Sequence, residues 1–276
     1  MDLNTILLVC AALVPAIALC IYIFIKDRAE KEPIGLLLTL FGLGAASCFP
    51  AVIGELIIGG ILDACFASAS MTDITLYVYQ FLHNFVGIAL VEECMKFLVL
   101  VLVTRKNKHF NSLFDGIVYA VFVSLGFAAL ENVLYVVENG WVNAVMRAIM
   151  SVPGHMFFGV MMGYYYSLWH VIDKAAELER RLAEGGVLPL NVPKFSSKRE
   201  RVLCLLIPIL FHGFYDFCCF VGGWFTLVLI GFVIFMYIYC FGKIRKVSKA
   251  DCNDYVASSK ELIKKYPFLQ HATRNQ

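Results

Sequence analysis

Residues 76–104 read LYVYQFLHNFVGIALVEECMKFLVLVLVT. The run is long enough to cross a lipid bilayer as a helix, because ~20 residues at 1.5 Å each cover a ~30 Å hydrocarbon core. It shows no period-two alternation, so it does not read as a barrel strand, and a helix satisfies its own backbone in lipid. Near its middle stand Glu92, Glu93 and Lys96. On insertion scales a charged side chain at the bilayer centre costs at least ~2.5–3.5 kcal/mol, so these three are functional candidates by default.

Working outward, six more apolar stretches are long enough to span. The expected set is 4–25, 34–61, 76–104, 114–137, 144–170, 202–220 and 224–242. The polar connections alternate in charge. Lys26, Arg28 and Lys31 fall in 26–33, and Arg105, Lys106 and Lys108 in 105–112. Further basic residues crowd 171–201 and the segment from 243 onward, whereas 62–75, 138–143 and 221–223 have none. Basic residues collect on the cytosolic side of membrane proteins. The expectation is an all-α integral membrane protein of about seven transmembrane helices, N-terminus outside and C-terminus cytosolic. An even number of spans would break the alternation.

Composition agrees. The 276 residues are 60% hydrophobic and 16% charged, against roughly 45–50% and about 25% for soluble domains. The net charge of +2 does not suggest a nucleic-acid partner. The ten cysteines show no C-x-x-C pair or zinc spacing, and most lie in apolar runs, where cysteine acts as a small hydrophobe. Met1-Asp2-Leu3-Asn4 lacks a basic n-region, so a span rather than a cleaved signal peptide is expected at the start. No internal repeat is visible. The chain divides into a membrane domain over 1–242 and a basic cytosolic tail over 243–276 without evident chemistry.

The other spans also carry ionisable groups: Asp115 and Glu131, the latter beside Asn132, then Arg147, His155, His212 and Asp216. Counting helical rise from the cytosolic ends puts Glu92 ~18 Å deep, His155 ~22 Å, His212 ~15 Å, Asp216 ~21 Å and Glu131 ~25 Å. Helices running in opposite directions thus deliver them to one layer. Glu92 and Lys96, spaced i,i+4, can pair on one face, while Glu93 points ~100° away toward another neighbour. His212 and Asp216 share the same spacing, so the carboxylate can orient the imidazole. Pro153 and Pro208 precede the histidines and are expected to kink their helices. Asp115 reads as a helix cap, Arg147 as a snorkelling interfacial residue, and Glu55 and His83 as wet structural groups.

Two acids and two histidines around water suit peptide hydrolysis by two routes. A glutamate can act as general base with histidine support at the oxyanion. Alternatively, a divalent metal such as zinc, held by candidates His155, His212 and Glu131, can activate the water. No H-E-x-x-H and no serine elbow is present. Buried acids, histidines and proline-broken helices also line proton- or cation-coupled transporters.

The runs EECMK at 92–96, FDGIVYAVFVSLGFAALENVLY at 114–135, PGHMFFGVMMGYY at 153–165 and FHGFYD at 211–216 together resemble the PrsW family of intramembrane proteases. The likeness covers the third through sixth spans. A more distant likeness is to the type II CAAX prenyl endopeptidases, which share a double glutamate and two later histidines. The resemblance implies that Glu92, Glu93, His155 and His212 are catalytic, and that Glu131, Asn132 and Asp216 occupy further motif positions. Lys96, Arg147 and Asp115 join them as supporting candidates. It also implies a membrane-embedded protein substrate, such as an anti-sigma factor, in a bacterial plasma membrane. Ala120 departs from an expected glycine. Lys96 stands one position before the arginine of the prenyl endopeptidases, and Asp216 replaces their asparagine; both point away from prenylprotein processing.

Overall fold

A computed structural model describes residues 2–28, 30–70, 72–189 and 194–272, with the side chains of 271 and 272 excepted. Among them the chain is helical and contains no strand; one isolated bridge joins Ser112 to Asn253. The helices are α1 (Leu3–Lys26), α2 (Ile34–Ala46), α3 (Cys48–Phe66), α4 (Asp73–Leu82), a π-helix (His83–Ala89), α5 (Leu90–Thr104), α6 (Asp115–Ile149), α7 (Ser151–Glu184), α8 (Lys198–Val221), α9 (Trp224–Lys249), α10 (Asp254–Lys265) and α11 (Leu269–Ala272). Five helical stretches among the described residues are long and apolar enough to cross a membrane: 3–26, 34–66, 115–184, 198–221 and 224–249. The 115–184 stretch has 70 residues, which would extend ~105 Å if straight, so it folds back on itself.

The first half of α6 is the centre of the molecule. Residues 115–129 are all buried, as expected for a helix apolar on every side. Around it pack α1, α2, α5 and α7. Small residues permit the closest crossings. A Cβ at Gly163 would lie 2.3 Å from the Gly116 carbonyl oxygen, and one at Gly126 would lie 2.0 Å from that of Phe41. The Gly159/Gly163 pair therefore packs closely, as its spacing predicts. Gly163→Val is expected to lower the melting midpoint of the detergent-solubilised protein by several degrees, from about 1–3 kcal/mol of overpacking. An unchanged midpoint would contradict contact at this crossing.

Several expected boundaries differ. The 34–61 stretch is two helices meeting at Ser47, whose hydroxyl donates to the Gly44 carbonyl. The 76–104 stretch is interrupted by the π-helix. Residues 138–143 are not a loop. The chain reverses at Gly140 (φ 76°, ψ −163°), a backbone conformation open to glycine because it lacks a Cβ. Arg147 consequently belongs to the returning end of α6 rather than to the helix of His155. Pro153 falls in the first turn of α7, where backbone N–H groups have no helical acceptor, so it breaks no bond. Pro208 does lie inside α8. All ten cysteines are free, but Cys10 and Cys219, which lie in apolar runs, are exposed rather than buried.

The tail is docked on the rest of the chain. The Leu113 N–H donates to the Cys252 carbonyl, and the Asp254 N–H to that of Asn111. Asp254 lies 3.0 Å from His170 Nε2, and the Ser258 hydroxyl donates to the Val171 carbonyl. Nearby, the 27–33 connection buries Asp27 and Glu32, which are 1% and 4% exposed. Burial, reinforced by Asp115, pushes Asp27 up to about 7 and Glu32 up to about 8, although the Tyr119 hydroxyl donates to Glu32 at 2.6 Å. Both values exceed those of the unfolded chain, roughly 4, so the folded state binds these protons more tightly. Stability is full below the unfolded values and falls as pH rises through the folded ones. The melting midpoint is expected to decline between about pH 5 and 8, less so in Glu32→Gln; a flat or rising midpoint would refute this.

Candidate active site

The site is assembled where α5, α6, α7 and α8 meet. The π-helix leads directly into α5; such wider turns are rare and often found at functional sites. It touches α8 through Gly213, where a Cβ would lie 2.6 Å from the Phe85 ring. That close approach seats His212 against α5. Its Nδ1 lies 2.9 Å from Glu93 Oε1, while Nε2 lies 3.2 Å from Asp216 Oδ2 and 3.9 Å from Glu92 Oε2. Phe158 stacks on the imidazole at 4.7 Å.

Lys96 is the hub. Its ammonium donates to Glu92 Oε2 at 2.9 Å and to Glu93 Oε1 at 2.8 Å, and lies 3.1 Å from His155 Nδ1. It also sits over the Phe127 ring at 4.2 Å. The pairing with Glu92 follows the i,i+4 spacing. Glu93 faces a different neighbour, His212, as its rotation on the helix suggests, and the flexible lysine stem nevertheless reaches both acids. An ammonium only donates, so His155 Nδ1 accepts, and the ring proton sits on Nε2, 2.8 Å from Glu131 Oε2. The Ser124 hydroxyl donates to the His155 backbone carbonyl at 2.7 Å, fixing that turn of α7.

Glu131 is held from the other side by Arg147, whose Nη2 lies 3.0 Å from Oε1. Arg147 Nε donates to Asn132 Oδ1 at 2.8 Å, and Asn132 in turn donates to the Ala12 carbonyl of α1. The guanidinium stacks on Tyr135 at 4.3 Å. Arg147 therefore points inward to the site rather than snorkelling. Asp115 lies in a separate cluster, accepting from the Asn111 and Ser112 N–H groups and the Ser112 hydroxyl. Asp115 is therefore not the helix cap the sequence suggests: Phe114 holds the N-cap position without a side-chain bond, and Asp115, the first residue of α6, braces the preceding loop instead, away from the site's contacts.

A cavity of about 480 Å³ opens on this network, lined by Glu92, Glu131, Arg147, His155, His212 and Asp216 among polar groups, with Phe127, Phe158 and Tyr215 among aromatic ones. Glu93 and Lys96 do not line it; they lie behind. Glu55 of α3 does line it, where sequence reasoning assigned a structural role at an outer end. Its signal was present, as an acid inside an apolar run, but nothing local connects α3 to the motif-bearing helices.

Fold and site define a class: a multi-pass helical membrane protein with a buried acid–imidazole centre bordering a cavity, the equipment of a hydrolase that works at the membrane. Residues 32–241 match the family model described as PrsW family intramembrane metalloprotease. The chain is 32% identical over 239 residues to a protein named Protease PrsW from Oceanobacillus iheyensis, covering 87% of this chain and 95% of that one. It is 30% identical over 253 residues to Protease PrsW of Bacillus subtilis, covering 88% and 95%. For Protease PrsW of Clostridioides difficile the identity is 32% over 240 residues, covering 85% and 89%. No solved structure matches the chain. The chain belongs to the PrsW family of intramembrane proteases, and is a peptidase; the match reaches well beyond the four motifs, from α2 into α9.

The family description raises a metal. Carboxylates and imidazole are suitable zinc donors. Glu92, Glu93 and His155 offer three donor atoms within 4.8 Å of one another, a different set from His155, His212 and Glu131. The Lys96 ammonium, however, lies 2.8–3.1 Å from all three residues. An ammonium and a dication repel strongly at such separations, so the residues as arranged do not fit a metal at that centre.

Proposed function

We propose that this protein hydrolyses a peptide bond in or near the transmembrane segment of a membrane protein, with Glu92 as general base on a water in the cavity. The supporting observation is that Glu92 alone of the glutamate pair lines the cavity, with His212 Nε2 3.9 Å from its carboxylate. Glu92 takes a proton from water as the water oxygen bonds to the carbonyl carbon. The Nε2–H of His212 turns from Asp216 Oδ2 to the substrate oxygen and supports the oxyanion, a stabilisation aimed at charge that develops in the transition state. When the C–N bond breaks, the proton held by Glu92 passes to the departing amine. Glu93 and Asp216 position the His212 ring from either side, and Arg147, Asn132 and Glu131 position His155.

In this reading the chain crosses the membrane seven times, with the N-terminus outside and the basic connections cytosolic. The α4–π–α5 rod supplies the crossing that length alone does not reveal, and α6 with α7 supplies two. The host membrane is a bacterial plasma membrane. The substrate is a membrane-anchored protein of the anti-sigma factor kind.

The test is cleavage of a single-span reporter by purified protein in proteoliposomes, with metal analysis of the same sample. Cleavage that persists after chelation, in protein free of zinc, is the expected result. Loss of cleavage on chelation, restored by zinc, would assign the chemistry to a metal and require Lys96 to withdraw.

A further inference from the structure

We propose that Glu55 forms a subsite for a cationic side chain of the substrate, a lysine or arginine next to the scissile bond. The inference rests on the protease reading and names what the cavity selects. Four carboxylates line the cavity: Glu55, Glu92, Glu131 and Asp216. Three have partners. Glu92 is held by Lys96, Glu131 by Arg147 and His155, and Asp216 by His212. Glu55 has no ion pair or hydrogen bond among the described residues, yet lies close enough to Glu92 and Glu131, and to His212 and Lys96, for their charges to act on it at longer range.

Each basic group that lines the cavity is already engaged: Arg147 with Glu131, His155 with Glu131 and Lys96, and His212 with Glu93 and Asp216. None is left for Glu55. An unpaired carboxylate within an apolar span is costly and normally finds a partner. Here the partner must come from whatever enters the cavity. One turn before Glu55 on the same wall lies Val52, with Cys48 another turn back. Such a surface suits the aliphatic stem of lysine or arginine, whose charged head would then meet the carboxylate. A neutral residue would leave Glu55 unpaired and an acidic one would repel it, so specificity arises from penalty as well as attraction.

Binding of N-acetylated, C-amidated pentapeptides Leu-Ala-X-Ala-Leu tests this, with X lysine, methionine or glutamate, measured by thermal shift on the full-length protein. The lysine peptide is expected to bind wild type about tenfold more tightly than the methionine peptide, with glutamate weakest. Glu55→Gln should abolish the lysine preference, Glu55→Asp should keep it and Glu55→Lys should invert it. Glu92→Gln should leave it in place. A lysine preference that is absent from wild type, or that survives in Glu55→Gln, overturns the subsite. In parallel, single-span reporters with lysine or methionine beside the cleavage site should differ mainly in KM. If wild type cleaves no reporter the protease reading fails, whereas the peptide ranking is a direct measure of the subsite.

Discussion

Replacing Glu92 with glutamine is expected to lower the rate of reporter cleavage by about 10²–10⁴-fold, the usual contribution of a positioned general base. The amide keeps the size of the side chain and can still accept from Lys96, so the protein should remain folded and membrane-inserted. The loss should fall on kcat. Glu93→Gln is expected to reduce cleavage by a different route. Glu93 does not border the cavity; it holds His212 Nδ1 at 2.9 Å and Lys96 at 2.8 Å. Its loss frees the imidazole to rotate, so the pH profile of cleavage should change shape along with the rate, which a purely structural group would not cause. Full activity in both variants would end the glutamate-base reading.

Lys96→Met is expected to be the most destabilising single change in the site. Lys96 is 1% exposed and supplies the one ammonium that contacts both Glu92 and Glu93. Removing one partner of a buried ion pair costs about 3–5 kcal/mol, because the remaining charge stays buried and uncompensated. Here two carboxylates lose their partner at once. A large fall in melting midpoint, with loss of cleavage, is the expected result. Arginine should not restore function, since its planar fork cannot replace a compact ammonium between three acceptors. The same variant tests the metal question without an activity assay. With the ammonium gone, Glu92, Glu93 and His155 are free to take a dication, so zinc should raise the midpoint of Lys96→Met and leave wild type unchanged. Zinc stabilisation of wild type but not of the variant would reverse the conclusion that the lysine fills the metal's place.

The two effects share one cause. The centre balances several carboxylates with a small number of cations, and the Lys96–His155, His155–Glu131 and Glu93–His212 contacts each join side chains of different helices. Glu92, Glu93, Lys96, His155, His212 and Glu131 were all legible as one set, because an ionisable residue in an apolar run stands out without knowledge of the fold. Asp115 stood out for the same reason, but belongs to a loop-bracing cluster with Ser112 and Asp251 on the tail-binding side. Depth along a helix can be counted from its end; the direction in which a side chain faces cannot.

That distinction separates the two sources of information. Helical class, membrane residence, the approximate limits of the apolar segments and the identity of the site's acids and imidazoles follow from the linear chain, because hydropathy, charge alternation and i,i+4 spacing are local properties. The π-helix before α5, the reversal at Gly140, the inward turn of Arg147, the contact of Lys96 with His155 across 59 residues and that of Glu93 with His212 across 119 emerge from packing. They depend on which helix faces meet, and that is set by the small residues at the crossings and the shape of the buried core. The same physics puts Glu55 on the cavity wall, beside acids with which it shares no motif.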